Sequence, residues 1–169
     1  MKPYRLFALI LALATTLTAC GTPGHAAVQY DVAGLYTQVL ETLWDTDPAL
    51  NEGITYVSVD LSNAPGGLTD EEKANIVEAF AAARRVQPLT LSRQELIDQG
   101  YFTEEDGGWD DGIILTIKSR TQTQSPTDFV FDAGKWRTIM GSCTYYECTP
   151  KWSETGDFID FQSAATAES

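Results

Sequence analysis

Two cysteines, one histidine, a dense run of carboxylates and a set of aromatic side chains are the residues best equipped for chemistry. Cys143 and Cys148 flank Thr144-Tyr145-Tyr146-Glu147. A four-residue spacer suits a hairpin clip, whereas redox dithiols carry two intervening residues. The spacing therefore predicts a structural disulfide between Cys143 and Cys148. So short a loop removes little unfolded-state entropy, which caps its contribution at about 2 kcal/mol. His25 is the only histidine, and it sits among the small residues of GTPGHAAVQ (21–29). Triad catalysis needs an imidazole held rigidly against its nucleophile, and a flexible segment does not provide that. A lone histidine also excludes HExxH zinc chemistry and His-rich metal sites. No GxSxG and no P-loop occurs, so neither a cofactor nor a catalytic residue is assigned, and no metal site is expected.

Carboxylates are densest at Glu104, Glu105, Asp106, Asp110 and Asp111, around Gly107, Gly108 and Trp109. Oxygen ligands with turn glycines suit calcium, but the EF-hand spacing is not met. A solvated acidic turn between helix and strand is the reading adopted. If the chain catalyses, it does so as a small carboxylate-dependent hydrolase, with Asp110 or Asp111 as its acid. Trp109, Trp136, Tyr145 and Tyr146 are candidate ligand-binding residues, since aromatic faces beside carboxylates suit sugars or peptides. Lys135-Trp136-Arg137 could form a cation–π site. Core and cross-strand packing explains the same aromatics without a ligand. The lysines Lys73, Lys118, Lys135 and Lys151 are expected to face solvent.

Positioning these groups falls to elements that the pattern predicts in turn. Asp31 is an N-cap, and Val32, Leu35, Tyr36, Val39, Leu40 and Leu43 recur at helical spacing up to about Trp44. Ile54–Leu61 is β-branched and reads as a strand. Thr69–Glu72 and Ser92–Glu95 are capping boxes that open two further helices, the second closed by Gly100. Strands follow near 113–118, 129–131, 138–145 and 157–161. This order predicts an α+β domain: an antiparallel meander of four to five strands with three helices on one face. A winged helix is disfavoured by the charge of the chain.

The chain carries 11 basic and 24 acidic side chains, a formal charge of −13. Such a surface is repelled by phosphate backbones and anionic headgroups, so nucleic acid is not an expected partner. At its start, Lys2 and Arg5 precede an apolar run, Leu6–Leu17, too short to span a bilayer. Small residues and Cys20-Gly21 follow, the order of an export signal. Residues 1–19 are read as the signal, 20–30 as a tether, 31–161 as one domain and 162–169 as a disordered tail. Without Lys2 and Arg5 the mature charge falls to −15.

Leu17-Thr18-Ala19-Cys20 resembles the lipobox of bacterial lipoproteins, which implies lipidation of Cys20. The strings LYTQVLETLWDTDPALNEGITYVSVDLS (35–62), LTDEEK (68–73) and FDAGKWR (131–137) are similar to small lipoproteins of Gram-positive bacteria. That resemblance implies location and fold and no chemistry. The expectation is a protein held at the extracytoplasmic face of the cell membrane by the lipid on Cys20, binding or scaffolding an envelope protein or polymer. A transporter's solute-binding lipoprotein fits the anchor, but 150 mature residues cannot form the usual two lobes.

Overall fold

The computed structural model describes residues 28–169. The expected signal at 1–19, Cys20, His25 and most of the expected tether lie outside the described residues.

Helix α1 (Val32–Asp45) starts where Asp31 accepts the Gly34 N–H at 2.8 Å. It buries all six apolar residues of its predicted stripe. Each fully buried Leu or Val of that stripe stabilises the fold by roughly 2 kcal/mol. Strand β1 (Tyr56–Asp60) leads to α2 (Asp70–Arg84), then to a three-residue strand β2 (Gln87–Leu89) and α3 (Arg93–Asp98). Both capping boxes form as predicted: Thr69 and Glu72 exchange hydrogen bonds at the start of α2, and Ser92 and Glu95 do so at α3. The remaining strands are β3 (Gly112–Ser119), β4 (Phe131–Thr138), β5 (Gly141–Trp152), β6 (Phe158–Gln162) and β7 (Ala165–Glu168).

The content is mixed α and β, but the sheet is not the expected antiparallel meander. Its order is β2-β1-β3-β4-β5-β6, with β7 also on β5. β1 runs parallel to both β2 and β3, and only β3 onward is antiparallel. The reason is visible in β1 itself, whose Val57, Ser58, Val59 and Asp60 are all buried. A strand covered on both faces takes parallel neighbours through helical crossovers.

The helices are not all on one face either. Val57, Val59, Ile113, Leu115, Ile117, Phe131 and Ala133 form one core with α1 and α2. Tyr56, Ile114 and Trp136, from the alternate positions of the same strands, form a second with Leu96 of α3, Phe102 and Trp109. We call these the front and back faces. Alternation along a strand sends neighbours to opposite faces, so two cores sandwich one sheet. A short α3 covers only part of the back face.

The tail expected to be disordered is structured. Residues 165–168 pair antiparallel with 143–146 of β5, in the same register that joins 160–162 of β6 to 149–151. Ser142 and Ser169 exchange both backbone hydrogen bonds at 3.0 Å and close that ladder. Backbone pairing orders this segment although its side chains are exposed. No helix among the described residues is long and apolar enough to cross a membrane.

Candidate functional site

Cys143 and Cys148 lie on one continuous strand, not across a hairpin. Cys143 is in register with Lys135 and Cys148 with Phe131, four positions apart on β4, or about 13 Å along a strand. A disulfide tolerates Cα separations of at most about 7 Å. The predicted bond is therefore not formed: both thiols are free and buried. Burial pushes the Cys148 thiol up to about 12 and raises Cys143 as well, which disfavours the reactive thiolate.

Lys135, expected at the surface, is 1 % exposed. It sits on the front face of β4, under the end of α1. Its ammonium donates to the carbonyls of Trp44 (3.1 Å), Thr46 (2.6 Å) and Asp47 (3.1 Å). The C-terminal carbonyls of a helix are orphan acceptors at the negative end of its dipole, and a cation placed there satisfies both. Burial lowers the Lys135 pKa to about 8, against the opposing pull of Asp47, Cys143 and Asp45. Its donors are committed to backbone, so it is a helix cap rather than a proton carrier.

The acidic run does not converge on a site. Glu104–Asp106 form a 3-10 turn, in which Asp106 accepts from the Thr103 N–H at 2.7 Å and holds its own carboxyl below the usual range. Asp110 and Asp111 are exposed. What the fold uses is their carbonyls: Asp110 accepts from Arg137 at 2.7 Å, and Asp111 accepts from the N–H groups of Thr55 and Tyr56. No metal-binding group of three or more His, Cys, Asp or Glu is found among the described residues.

The four aromatic candidates separate. Trp109 is buried, stacked on Phe102 and Tyr56, with Gly112 so close that a Cβ there would lie 2.6 Å from the indole. Tyr145 points to the front core, and its hydroxyl meets Thr46 at 2.8 Å. Both are engaged in packing, Trp109 fully buried and Tyr145 half-buried. Trp136 and Tyr146 both project from the back face. Trp136 packs on Phe102 with the Arg93 guanidinium 5.0 Å from its ring, and Tyr146 is exposed.

Between those two aromatics the back face is open and paved with small polar groups. One cross-strand row runs Asp60, Thr116, Gly134, Thr144 and Ala167. A Cβ on Gly134 would meet the Thr116 hydroxyl at 3.0 Å, so glycine keeps this row flat. Asp60 is buried and turned inward, its carboxylate accepting from the Ser62 N–H at 3.0 Å and hydroxyl at 2.6 Å.

Beyond the row lies a groove of about 600 Å³, lined by Arg120, Thr121, Val130, Glu147, Thr149, Gln162, Ser163 and Ala164. It forms where β5 bulges. Phe131 pairs with Cys148 but Ala133 with Tyr145, so one extra residue stands opposite Asp132. Glu147 absorbs it at φ 53°, a left-handed conformation unusual for a side chain of its size. Asp132 fixes the bulge by accepting the Glu147 N–H at 2.9 Å. Arg120 donates through Nε to both Asp132 oxygens at 2.8 Å and through Nη1 to Glu147 at 3.1 Å. These carboxylates raise the Arg120 pKa further. Local composition could not have revealed this group, because Arg120, Asp132, Glu147 and Gln162 come from four separate segments.

No protein-family model, curated protein or solved structure matches this chain.

Proposed function

We propose that this is a lipid-anchored protein of the extracytoplasmic membrane face, whose domain binds or scaffolds and does not catalyse. Anchoring rests on the complete lipobox-like order at 17–20, and its only expected membrane contact is the lipid on Cys20. The observation that carries the binding role is the open back face. It presents paired donors and acceptors, among them Arg120 with Asp132 and Glu147 at the edge of the groove. Asp110 and Asp111 are exposed, and the fold engages them through their backbone carbonyls. Lys135 is committed to three carbonyls, and the thiols are buried. The partner is an envelope protein or polymer and not nucleic acid, which the acidity of the chain disfavours.

Cys20→Ser tests the anchor. The variant should incorporate no labelled palmitate and should leave the detergent phase, whereas retention of a mature, detergent-phase protein would show that Cys20 is not the anchor. Release of glycan or peptide fragments by the purified protein, lost in Asp110→Asn or Asp111→Asn, would replace this reading with the hydrolase.

A further inference from the structure

We infer that the groove at the β5 bulge is a binding site for a neutral glycan, with Tyr146 as its stacking platform. This deepens the binding role proposed above and rests on it. Four observations converge. The ladder is interrupted on both strands at one place: pairing stops at Tyr146 with Ala165 and resumes at Thr149 with Gln162. That interruption opens the floor of the groove, and its volume lies within the range of small-molecule sites.

The lining supplies the functional groups that sugar hydroxyls need. Arg120 and Gln162 carry planar donors, Glu147 and Gln162 planar acceptors, and Thr121, Thr149 and Ser163 can do either. The exposed phenol of Tyr146 projects from the same face at the rim of the groove: Tyr146 precedes the bulge residue Glu147, and its carbonyl accepts from the N–H of the lining residue Ala164 at 3.0 Å. An aromatic face beside planar polar groups receives the apolar C–H face of a pyranose while its edge hydroxyls hydrogen-bond.

Charge selects the class. Arg120 is already paired with Asp132 and Glu147, so it offers directed N–H groups without a free positive charge. Arg120 is the one cation among the lining residues and is already paired; the exposed Lys118, in register with Asp132, lies outside the lining, and a chain of net charge −13 repels anions. The bulge is also held rigid before any ligand arrives, because Asp132 grips both the Glu147 N–H and Arg120. Pre-organised groups lose little entropy on binding. The flat row Thr116-Gly134-Thr144 extends this surface toward Trp136, giving a polymer room to continue across the sheet.

The test is calorimetric titration of the full chain in detergent with three neutral tetrasaccharides: an N-acetylglucosamine oligomer, cellotetraose and maltotetraose. At least one should bind. Arg120→Gln and Tyr146→Ala should each weaken it tenfold or more, while Asp110→Asn should leave it unchanged. Thr149→Val with Gln162→Ala provides a second route should Arg120→Gln unfold, and it should also cost at least tenfold. No binding of any of the three, or binding indifferent to these changes, overturns the site. Chromatography of the same mixtures keeps the two readings apart. Saccharide that is bound and cleaved would defeat the non-catalytic role and leave the glycan site standing, whereas absent binding defeats the glycan site alone.

Discussion

Lys135 shows how far one side chain can depart from its local pattern. In Phe131–Thr138, Lys135 stands at the same parity as Phe131 and Ala133, so strand alternation aims it into the front core. What makes that tolerable lies about 90 residues away, in the carbonyls at the end of α1. The Thr46 carbonyl has no hydrogen-bond partner other than Lys135 among the described residues, while those of Trp44 and Asp47 are also bonded by Asn51 and Leu50. Lys135→Met keeps the stem and removes the donor. It should destabilise the protein by about 2–3 kcal/mol, the cost of losing a charged hydrogen bond and stranding a buried acceptor. Denaturant melts at pH 7 measure this. The pH dependence has a definite sign. The folded pKa of about 8 lies below the ordinary 10.5, so between those values the unfolded chain holds the extra proton. The contribution of this group to stability therefore rises with pH through that window. Stability profiles of wild type and Lys135→Met from pH 7.5 to 10.5 should differ by that slope, and parallel profiles would contradict it. Cys143 illustrates the complementary failure of local reading: spacing alone suggested a clip, and only the ladder shows that 144–147 do not turn.

Elements whose signals are local were legible. Asp31, Thr69 and Ser92 each start a helix because their side chains meet a backbone N–H within three residues, a range that sequence displays directly. β2 was not legible: three residues around Pro88 carry no alternation, and only pairing with Tyr56–Ser58 makes them a strand. Proline suits that place, since an edge position can spare an N–H. The caps are testable at this scale. Thr69→Ala should cost about 1 kcal/mol. The partner carboxylates Glu72 and Glu95 are held below their ordinary 4.5 by hydrogen bonds from the Thr69 and Ser92 backbone N–H groups, then from the hydroxyls. Their contribution is complete above about pH 4.5 and is lost as pH falls through the depressed folded values. Thermal melts between pH 5 and 3 should consequently fall less steeply for Glu72→Gln with Glu95→Gln than for wild type. An identical acid limb would mean that the boxes do not hold in solution.

For the molecule as a whole, sheet topology decides what is exposed, and topology is non-local. Strand order places the short β2 at one side and the long β5 near the other, so the polar row of the back face and the groove at its end exist only after β1, β3, β4 and β5 assemble. The same order explains the last segment. Ala165-Thr166-Ala167-Glu168 has nothing to bury, and its side chains are exposed, yet it covers the edge of Cys143–Tyr146. An uncovered edge of Cys-Thr-Tyr-Tyr offers aromatic, β-favouring residues and free backbone groups to another chain, whereas small residues ending in Glu168 do so poorly. The exposed Ile139 and Met140 at the β4–β5 turn adjoin that edge and would reinforce such pairing. A chain ending at Ala164 should thus lose little thermal stability, because both cores remain, but should associate. Light scattering coupled to size exclusion should find the full chain monomeric and the shortened one concentration-dependent in mass. Restoring a blocked edge in the shortened chain with Thr144→Pro would break its own ladder, so Tyr146→Lys is the better rescue: a lysine on a bare edge resists pairing. If the shortened chain stays monomeric at every concentration, β7 is not an edge cover and its pairing with β5 serves only to order the tail.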